Sequence, residues 1–149
     1  MNARKKTLLT ETLFVLTITI VAVVGMVNLK DYINRSEAMR AMRQLGEKAL
    51  LYRKANGSLP PQSYVNDTME TLEGYVRLGK IQYRALWIDF QAGPDEILAY
   101  TFKKYRSLIL GNGYVVLRLD GKVEWMLKEQ FEKLLAKQQS QAEVQIERQ

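Results

Sequence analysis

The feature that most constrains this chain is an uncharged, apolar run close to its start. No Asp, Glu, Lys or Arg occurs from Thr12 to Leu29. As a helix rising about 1.5 Å per residue, the run spans roughly 27 Å, which is close to the ~30 Å hydrocarbon thickness of a bilayer. Its threonine hydroxyls can bond to the helix backbone and so cost little in lipid. The sequence therefore predicts a transmembrane helix over residues 12–29, preceded by a cytoplasmic basic arm at residues 1–11.

The orientation follows from the charges that flank this run. Arg4, Lys5 and Lys6 precede it on a short arm, and the positive-inside rule places such an arm in the cytoplasm and the remainder of the chain outside. The main alternative is a secretory signal peptide that is cleaved after Gly25 and uses the same basic and apolar residues. The helical pattern that continues beyond Gly25 favours an anchor that is retained.

Residues 30–57 show the spacing of an amphipathic continuation of the same helix. Between Asn28 and Lys54 there is no proline and the one glycine is Gly46, a residue that can let a strand approach closely. Asn56-Gly57 can stop the helix, so we predict one helix from about Leu8 to Ala55. Apolar residues recur four and three positions apart and form a stripe on one helix face: Ala38, Met42, Leu45, Ala49 and Tyr52. We expect this stripe to pack on a sheet of the same chain, with a coiled-coil seam between subunits as the alternative.

Residues 58–137 are predicted to form a small periplasmic head. The fold class is therefore α+β, with a long N-terminal helix packed on a small antiparallel sheet of three or four strands. The polar residues 138–149 predict a flexible tail. The predicted elements of the head are a short helix after Asn66 or Asp67 that ends at Gly79, strands at Ile81–Phe90 and Ile97–Phe102, a tight hairpin around Asp120-Gly121, and a helix at Lys128–Lys137.

Composition argues against catalysis. The chain is 47% hydrophobic and 26% charged, as expected of an ordered protein, and it has no Cys and no His. The commonest general base, the commonest metal ligand and any thiolate nucleophile are therefore missing. The four carboxylates that composition offers for calcium lack the spacing of a calcium loop: Asp89, Asp95, Glu96 and Asp120. We expect no catalytic residues, no metal and no cofactor.

The net charge of +6 raises the question of an anionic partner. Arg35, Arg40, Arg43 and Arg53 form a loose basic series along the predicted helix. This series could contact lipid headgroups or nucleic acid, but aromatic residues do not alternate regularly with its members. The pattern therefore favours a solvated helix face, and a nucleic-acid partner is the less favoured interpretation.

Three stretches of the chain are similar to a known family. They are TLLTETLFVLTITIVAVVG, then SEAMRAMRQLGEKALLYRKANGSLPP, and last ILAYT followed by GYVVLRLDGKVEWM. In these stretches the chain resembles type IV pilin-like proteins, especially the pseudopilins of type II secretion. The resemblance covers the first 60 residues and about 97–127. It departs from the family where Lys6 replaces the glycine that precedes the cleavage point of pilin-like precursors.

The resemblance implies a structural role in the bacterial inner membrane. The chain would be a single-pass, pilin-like subunit or accessory of a type IV pilus-like or secretion apparatus, with its head in the periplasm and other pilin-like subunits as partners. Glu11 would occupy the family's acidic position and pair with a neighbouring subunit's Lys5 or Lys6. The alternative for Glu11 is a solvated place at the membrane surface. The alternatives for the chain are an anchored binding module that does not assemble, or a minor pilin that captures DNA.

Overall fold

The computed structural model describes residues 3–89, 91–107 and 109–147, and one helix dominates it. Helix α1 spans Ala3–Asn56 and contains 54 residues, which gives a length of about 80 Å at the rise of an α-helix. It ends at Gly57, whose φ of 72° is left-handed and whose amide donates to the Arg53 carbonyl at 2.8 Å. This is the usual glycine closure of a helix. The predicted unbroken helix is confirmed, and it begins earlier than Leu8.

The second layer is a four-stranded antiparallel sheet, so the predicted α+β class is confirmed. The strands follow the chain in order across the sheet. They are β1 (Gln82–Tyr83), β2 (Ile97–Lys103), β3 (Gly113–Arg118) and β4 (Val123–Leu127). The strand expected over Ile81–Phe90 is much shorter than predicted. After β1 the chain leaves the sheet, and Ala85–Trp87 form a 3-10 turn, while Phe90 lies outside the described residues.

The inner face of the sheet covers the outer half of α1. Ala38, Met42, Leu45 and Ala49 are almost fully buried in one core cluster that also contains sheet residues Val115 and Leu117. Tyr52, the last residue of the stripe, is half-buried, and its ring lies 4.7 Å from that of Tyr64. A Cβ built on Gly46 would lie 2.7 Å from Leu117 Cδ1, so glycine lets the strand approach the helix here.

A fourth helix makes the head a three-layer structure. Helix α4 spans Lys128–Gln138 and places Phe131 on the outer face of the sheet, where it packs with Ile97, Tyr100 and Val116. The rings of Phe131 and Tyr114 stack with centroids 3.9 Å apart. Both faces of β3 are therefore buried.

Two short helices connect α1 to the sheet, and they differ from the single helix expected after Asn66 or Asp67. Helix α2 is Gln62–Met69 and begins directly after Pro61, so Asn66 and Asp67 lie inside it. Helix α3 is Tyr75–Leu78. Gly74 separates the two because its φ of 78° is left-handed.

The hairpin between β3 and β4 lies where Asp120-Gly121 predicts it. The Gly121 amide donates to the Arg118 carbonyl at 3.0 Å, and the Arg118 amide donates to the Lys122 carbonyl at 2.9 Å. Gly121 has a φ of 88°, whereas no described residue other than glycine has a positive φ. The connection is therefore a tight turn followed by one left-handed glycine rather than a turn with positive φ at both positions.

Residues 138–147 contain a helix rather than the flexible tail that the polar composition of residues 138–149 predicts. Helix α5 covers Gln141–Glu147, and Glu143 is only 1% exposed. Arg84 Nε donates to Glu143 Oε1 at 2.6 Å, and Arg84 Nη2 donates to Glu143 Oε2 at 3.0 Å. A buried guanidinium is stable only when a carboxylate pairs with it. The pair of Arg84 and Glu143 therefore holds helix α5 against the sheet.

Candidate functional site

The apolar half of α1 is the largest candidate functional feature. It contains the one candidate membrane span among residues 3–89, 91–107 and 109–147, and none of that span is buried. Leu13 and Phe14 are 62% and 65% exposed, and every described side chain from Arg4 to Met26 is exposed. Apolar side chains on all sides of a helix are stable in lipid or against other apolar helices, not in water.

Three threonine hydroxyls within this half are satisfied inside the helix. The hydroxyls of Thr12, Thr17 and Thr19 donate to the carbonyls four residues earlier at 2.8, 2.8 and 2.9 Å. These bonds match the sequence expectation and remove the cost of bringing the hydroxyls into hydrocarbon.

Glu11 lies on this half without a partner of opposite charge in the described part of the chain. It is exposed and lies on the same helix face as Thr12, Val15 and Thr19. Lys5 and Lys6 are also exposed on the helix, and a single chain does not bring either lysine into an ion pair with Glu11. The ion pairs among the described residues all join residues of the head or of the outer half of α1. A carboxylate at a membrane edge usually has a partner of opposite charge. Since neither lysine of the same chain pairs with Glu11, a lysine partner would have to belong to another molecule.

The outer end of the apolar run is fixed to the head by a buried carboxylate. Asp31 is 8% exposed and accepts the backbone amides of Arg106 and Ser107 at 2.8 and 2.7 Å. The Ser107 hydroxyl also bonds to the side-chain oxygen of Asn28, one turn earlier. These contacts place the β2–β3 loop against the helix at the point where the uncharged run ends.

A cluster of aromatic and cationic side chains lies just beyond this junction. The Arg35 guanidinium carbon lies 5.6 Å from the Tyr32 ring centroid and 5.7 Å from that of Trp125. The Tyr105 ring lies 5.5 Å from Trp125. Burial raises the pKa of Tyr105 to about 12, with a further increase from Asp31 and an opposing effect of Arg35. Aromatic and basic residues of this kind are typical of a membrane interface.

Two clefts lie on the head away from the junction. One, of about 560 Å³, lies at the far end of α1 between Tyr52, Pro60 and Leu86. The other, of about 710 Å³, lies beside β2 and includes Lys103. Burial lowers the pKa of Lys103, but its ammonium donates to the carbonyls of Arg77 and Leu78. Lys103 therefore closes the end of α3, and the geometry does not present it as a nucleophile.

The carboxylates singled out by composition are dispersed. Glu96 contacts Arg84 at 3.3 Å and Asp95 contacts Arg118 at 3.5 Å. Asp120 instead accepts the Lys122 amide at 2.8 Å in the hairpin. Within the described ranges no three His, Cys, Asp or Glu residues are grouped so that they could hold a metal ion.

Sequence patterns indicate neither the Asp31 junction nor the Arg84–Glu143 pair. The partners of the pair are separated by 59 residues, and Asp31 and Ser107 by 76. The available signal for the junction is that Asn28 and Asp31 lie three positions apart, and so on one helix face, at the end of the apolar run. For Arg84 and Glu143 no local pattern distinguishes the buried charges from exposed ones.

No protein-family model matches the chain, and neither a curated protein nor a solved structure matches it. The class is therefore defined by the structure alone. The protein is an α+β head carried on a long helix, and the first half of that helix is a candidate membrane span.

Proposed function

We propose that this protein is a single-pass, membrane-anchored structural subunit, or an assembly accessory, of a pilus-like or secretion apparatus. Its N-terminus lies in the cytoplasm and its head in the periplasm of a bacterium. The observation that carries the proposal is the unbroken helix α1, whose first half exposes apolar side chains while its second half is buried under the sheet. A rod of this kind can pack its apolar half against copies of itself and display the head at a fixed height.

Glu11 supplies the contact through which we propose that copies assemble. A carboxylate deep in a bilayer costs up to about 2–3 kcal/mol, and pairing offsets much of this cost. Lys5 and Lys6 lie six and five positions earlier, respectively, on an exposed part of α1. A neighbouring helix displaced by roughly 8 Å along the axis would bring one of these lysines level with Glu11. The pilin-like sequence stretches support the same arrangement.

An anchored binding module that does not assemble is the second candidate. The observation in its favour is the cleft at the far end of α1, next to which Leu86 is 90% exposed. A DNA-capturing minor pilin has weaker support. Arg40 already pairs with Glu73 at 2.6 Å, and Arg35 stacks on two rings of its own chain.

The anchoring and its orientation can be tested by labelling, because the chain has no Cys and each introduced Cys is unique. We expect Lys122→Cys to react with a membrane-impermeant maleimide in intact spheroplasts. Lys5→Cys should react only after permeabilisation. Labelling of both variants in a soluble fraction would contradict the proposal, as would intact mass showing that the chain starts near Met26.

Assembly is tested by crosslinking from Val15→Cys, which lies on the same face as Glu11. Glu11→Lys should abolish the crosslinked dimer, and so should Lys5→Glu combined with Lys6→Glu. Joining all three changes should restore the dimer, because the pairing is reversed. Glu47→Lys, at an exposed site on the outer half of α1, is the matched control. Crosslinking that Glu11→Lys leaves unchanged would favour the binding module instead.

A further inference from the structure

The loop between β2 and β3, residues 104–112, is fixed to α1 at the outer end of the apolar run. Its base is held by the two amide bonds to Asp31 and by the contact between Ser107 and Asn28. A further bond joins the Tyr105 amide to the Asn112 side-chain oxygen at 3.1 Å and closes the loop. The loop also reaches into the span itself, because Arg106 shares a small cavity of about 190 Å³ with Val23, Val24 and Val27.

The tip of this loop is apolar and is not covered by the head. Ser107 Oγ accepts the amides of Ile109 and Leu110 at 3.1 and 3.2 Å, which folds the tip into a tight turn. Ile109 is nevertheless 80% exposed. The loop is therefore closed at its base by hydrogen bonds, and an isoleucine side chain projects from its tip.

The position of the loop along α1 decides what lies next to it. Asn28 and Asp31 flank Leu29, the last residue of the uncharged run. Val24 lies roughly 8 Å further into that run, so a loop that contacts both levels lies in the headgroup and shallow acyl region of a bilayer. Two exposed cations belong to the loop itself, Lys104 and Arg106, and Lys30 is exposed at the end of the uncharged run; their long side chains can reach headgroups.

We propose that the described residues of this loop, 104–107 and 109–112, form a second membrane contact. Ile109 inserts at the boundary between headgroups and acyl chains, and Lys104 and Arg106 bind anionic phospholipid headgroups. The bilayer is the occupant because the loop is fixed to the span of its own chain at a depth that lipid fills, and because the loop carries two exposed cations besides the exposed Ile109. The inference rests on the proposed anchoring of residues 12–29.

The test measures the depth of residue 109 in a bilayer. Full-length Ile109→Cys is labelled with an environment-sensitive fluorophore and reconstituted into vesicles of mixed zwitterionic and anionic phospholipid. Leu86→Cys is the matched control, since Leu86 is also a highly exposed apolar residue but lies beside the far end of α1. That end is roughly 38 Å along the helix from Asn28. Val21→Cys, near the middle of the span, is the reference for insertion and is measured with lipids spin-labelled deep in the acyl chain.

We expect lipids spin-labelled near the headgroup to quench the label at position 109 several-fold more strongly than the label at position 86. Replacing Lys104 and Arg106 by Gln should reduce that quenching in anionic vesicles and leave it unchanged in purely zwitterionic ones. Quenching at position 21 without quenching at position 109 would overturn the loop contact and leave the anchor intact. Absence of quenching at both positions would overturn the anchor as well. A label at 109 that is shielded from aqueous iodide but not quenched by lipid would show that protein covers the tip, which also overturns the proposal.

Discussion

Replacing Glu143 by Ala removes the carboxylate that accepts two hydrogen bonds from the buried Arg84. Arg84 is 2% exposed. Burial alone lowers its pKa, but the hydrogen bonds and charge interactions with Glu143 and Glu96 together outweigh that effect, so the pKa lies above the usual value for arginine. Removing one partner of a buried ion pair costs about 3–5 kcal/mol because the other charge stays buried. Arg84 keeps the Ile97 carbonyl at 2.8 Å and Glu96 at 3.3 Å, so we expect the lower end, about 3 kcal/mol.

This loss is large for a small head, because domains of this size are stable by only about 5–15 kcal/mol. Urea unfolding of the full chain in detergent, followed by the fluorescence of Trp87 and Trp125, measures it. With a slope of about 1.5 kcal/mol per molar urea, the midpoint should fall by about 2 M. Replacing Arg84 by Met and Glu143 by Leu together should recover most of the stability, since an apolar pair removes both buried charges.

The control is Glu132→Ala, which breaks an exposed pair with Lys128 at 3.8 Å on the neighbouring helix α4. Exposed pairs of this kind contribute at most about 0.5 kcal/mol. If the midpoints of Glu143→Ala and Glu132→Ala coincide, helix α5 does not hold Arg84 in solution, and the segment after Gln138 is the flexible tail that its composition suggests.

Three further outcomes follow from the packing and from one titrating group. Phe131→Ala should lower the free energy of unfolding by about 3–5 kcal/mol in the same urea experiment, because Phe131 is 1% exposed beneath α4. Gly46→Ala should lower the free energy of unfolding by about 1–2 kcal/mol despite the better helix propensity of alanine, because the new Cβ would lie 2.7 Å from Leu117 Cδ1. A more stable variant would show that the strand can move away from the helix without cost. Burial raises the pKa of Tyr105 from 10.0 to about 12, so the contribution of its neutral hydroxyl to stability is complete below pH 10 and is lost as the pH rises towards 12. In Tyr105→Phe, the free energy of unfolding should therefore fall less steeply between pH 10 and 12. An identical pH dependence in both proteins would count against the burial of the hydroxyl.

Local periodicity accounts for the parts of the fold that could be predicted. Ala38, Met42, Leu45 and Ala49 recur at helical spacing and are buried as one face, since the period of a helix determines which residues share a side. The hairpin at Gly121 is equally local, because glycine adopts its φ of 88° at little cost.

The remaining structure depends on contacts between residues that are distant in sequence. Trp87 belongs to a class of residue that favours strands, yet it ends a 3-10 turn, because β-propensity reflects packing more than backbone preference. Arg84 is buried because Glu143 reaches it from 59 residues away. Asp31 is buried because the β2–β3 loop folds back on α1. The sequence neighbours of Arg84 and Asp31 do not identify these distant partners.

Because α1 has no break, the direction in which the head faces around the helix axis depends on the number of residues in the apolar half. A helix turns by about 100° and advances about 1.5 Å for each residue, so one alanine added after Thr17 would swing the head a quarter-turn or more around the axis relative to Glu11. The chemistry of both halves would be unchanged by that insertion. Only the angle around the helix axis between Glu11 and the exposed surface of the head would differ, so a requirement on the direction of one constrains the direction of the other.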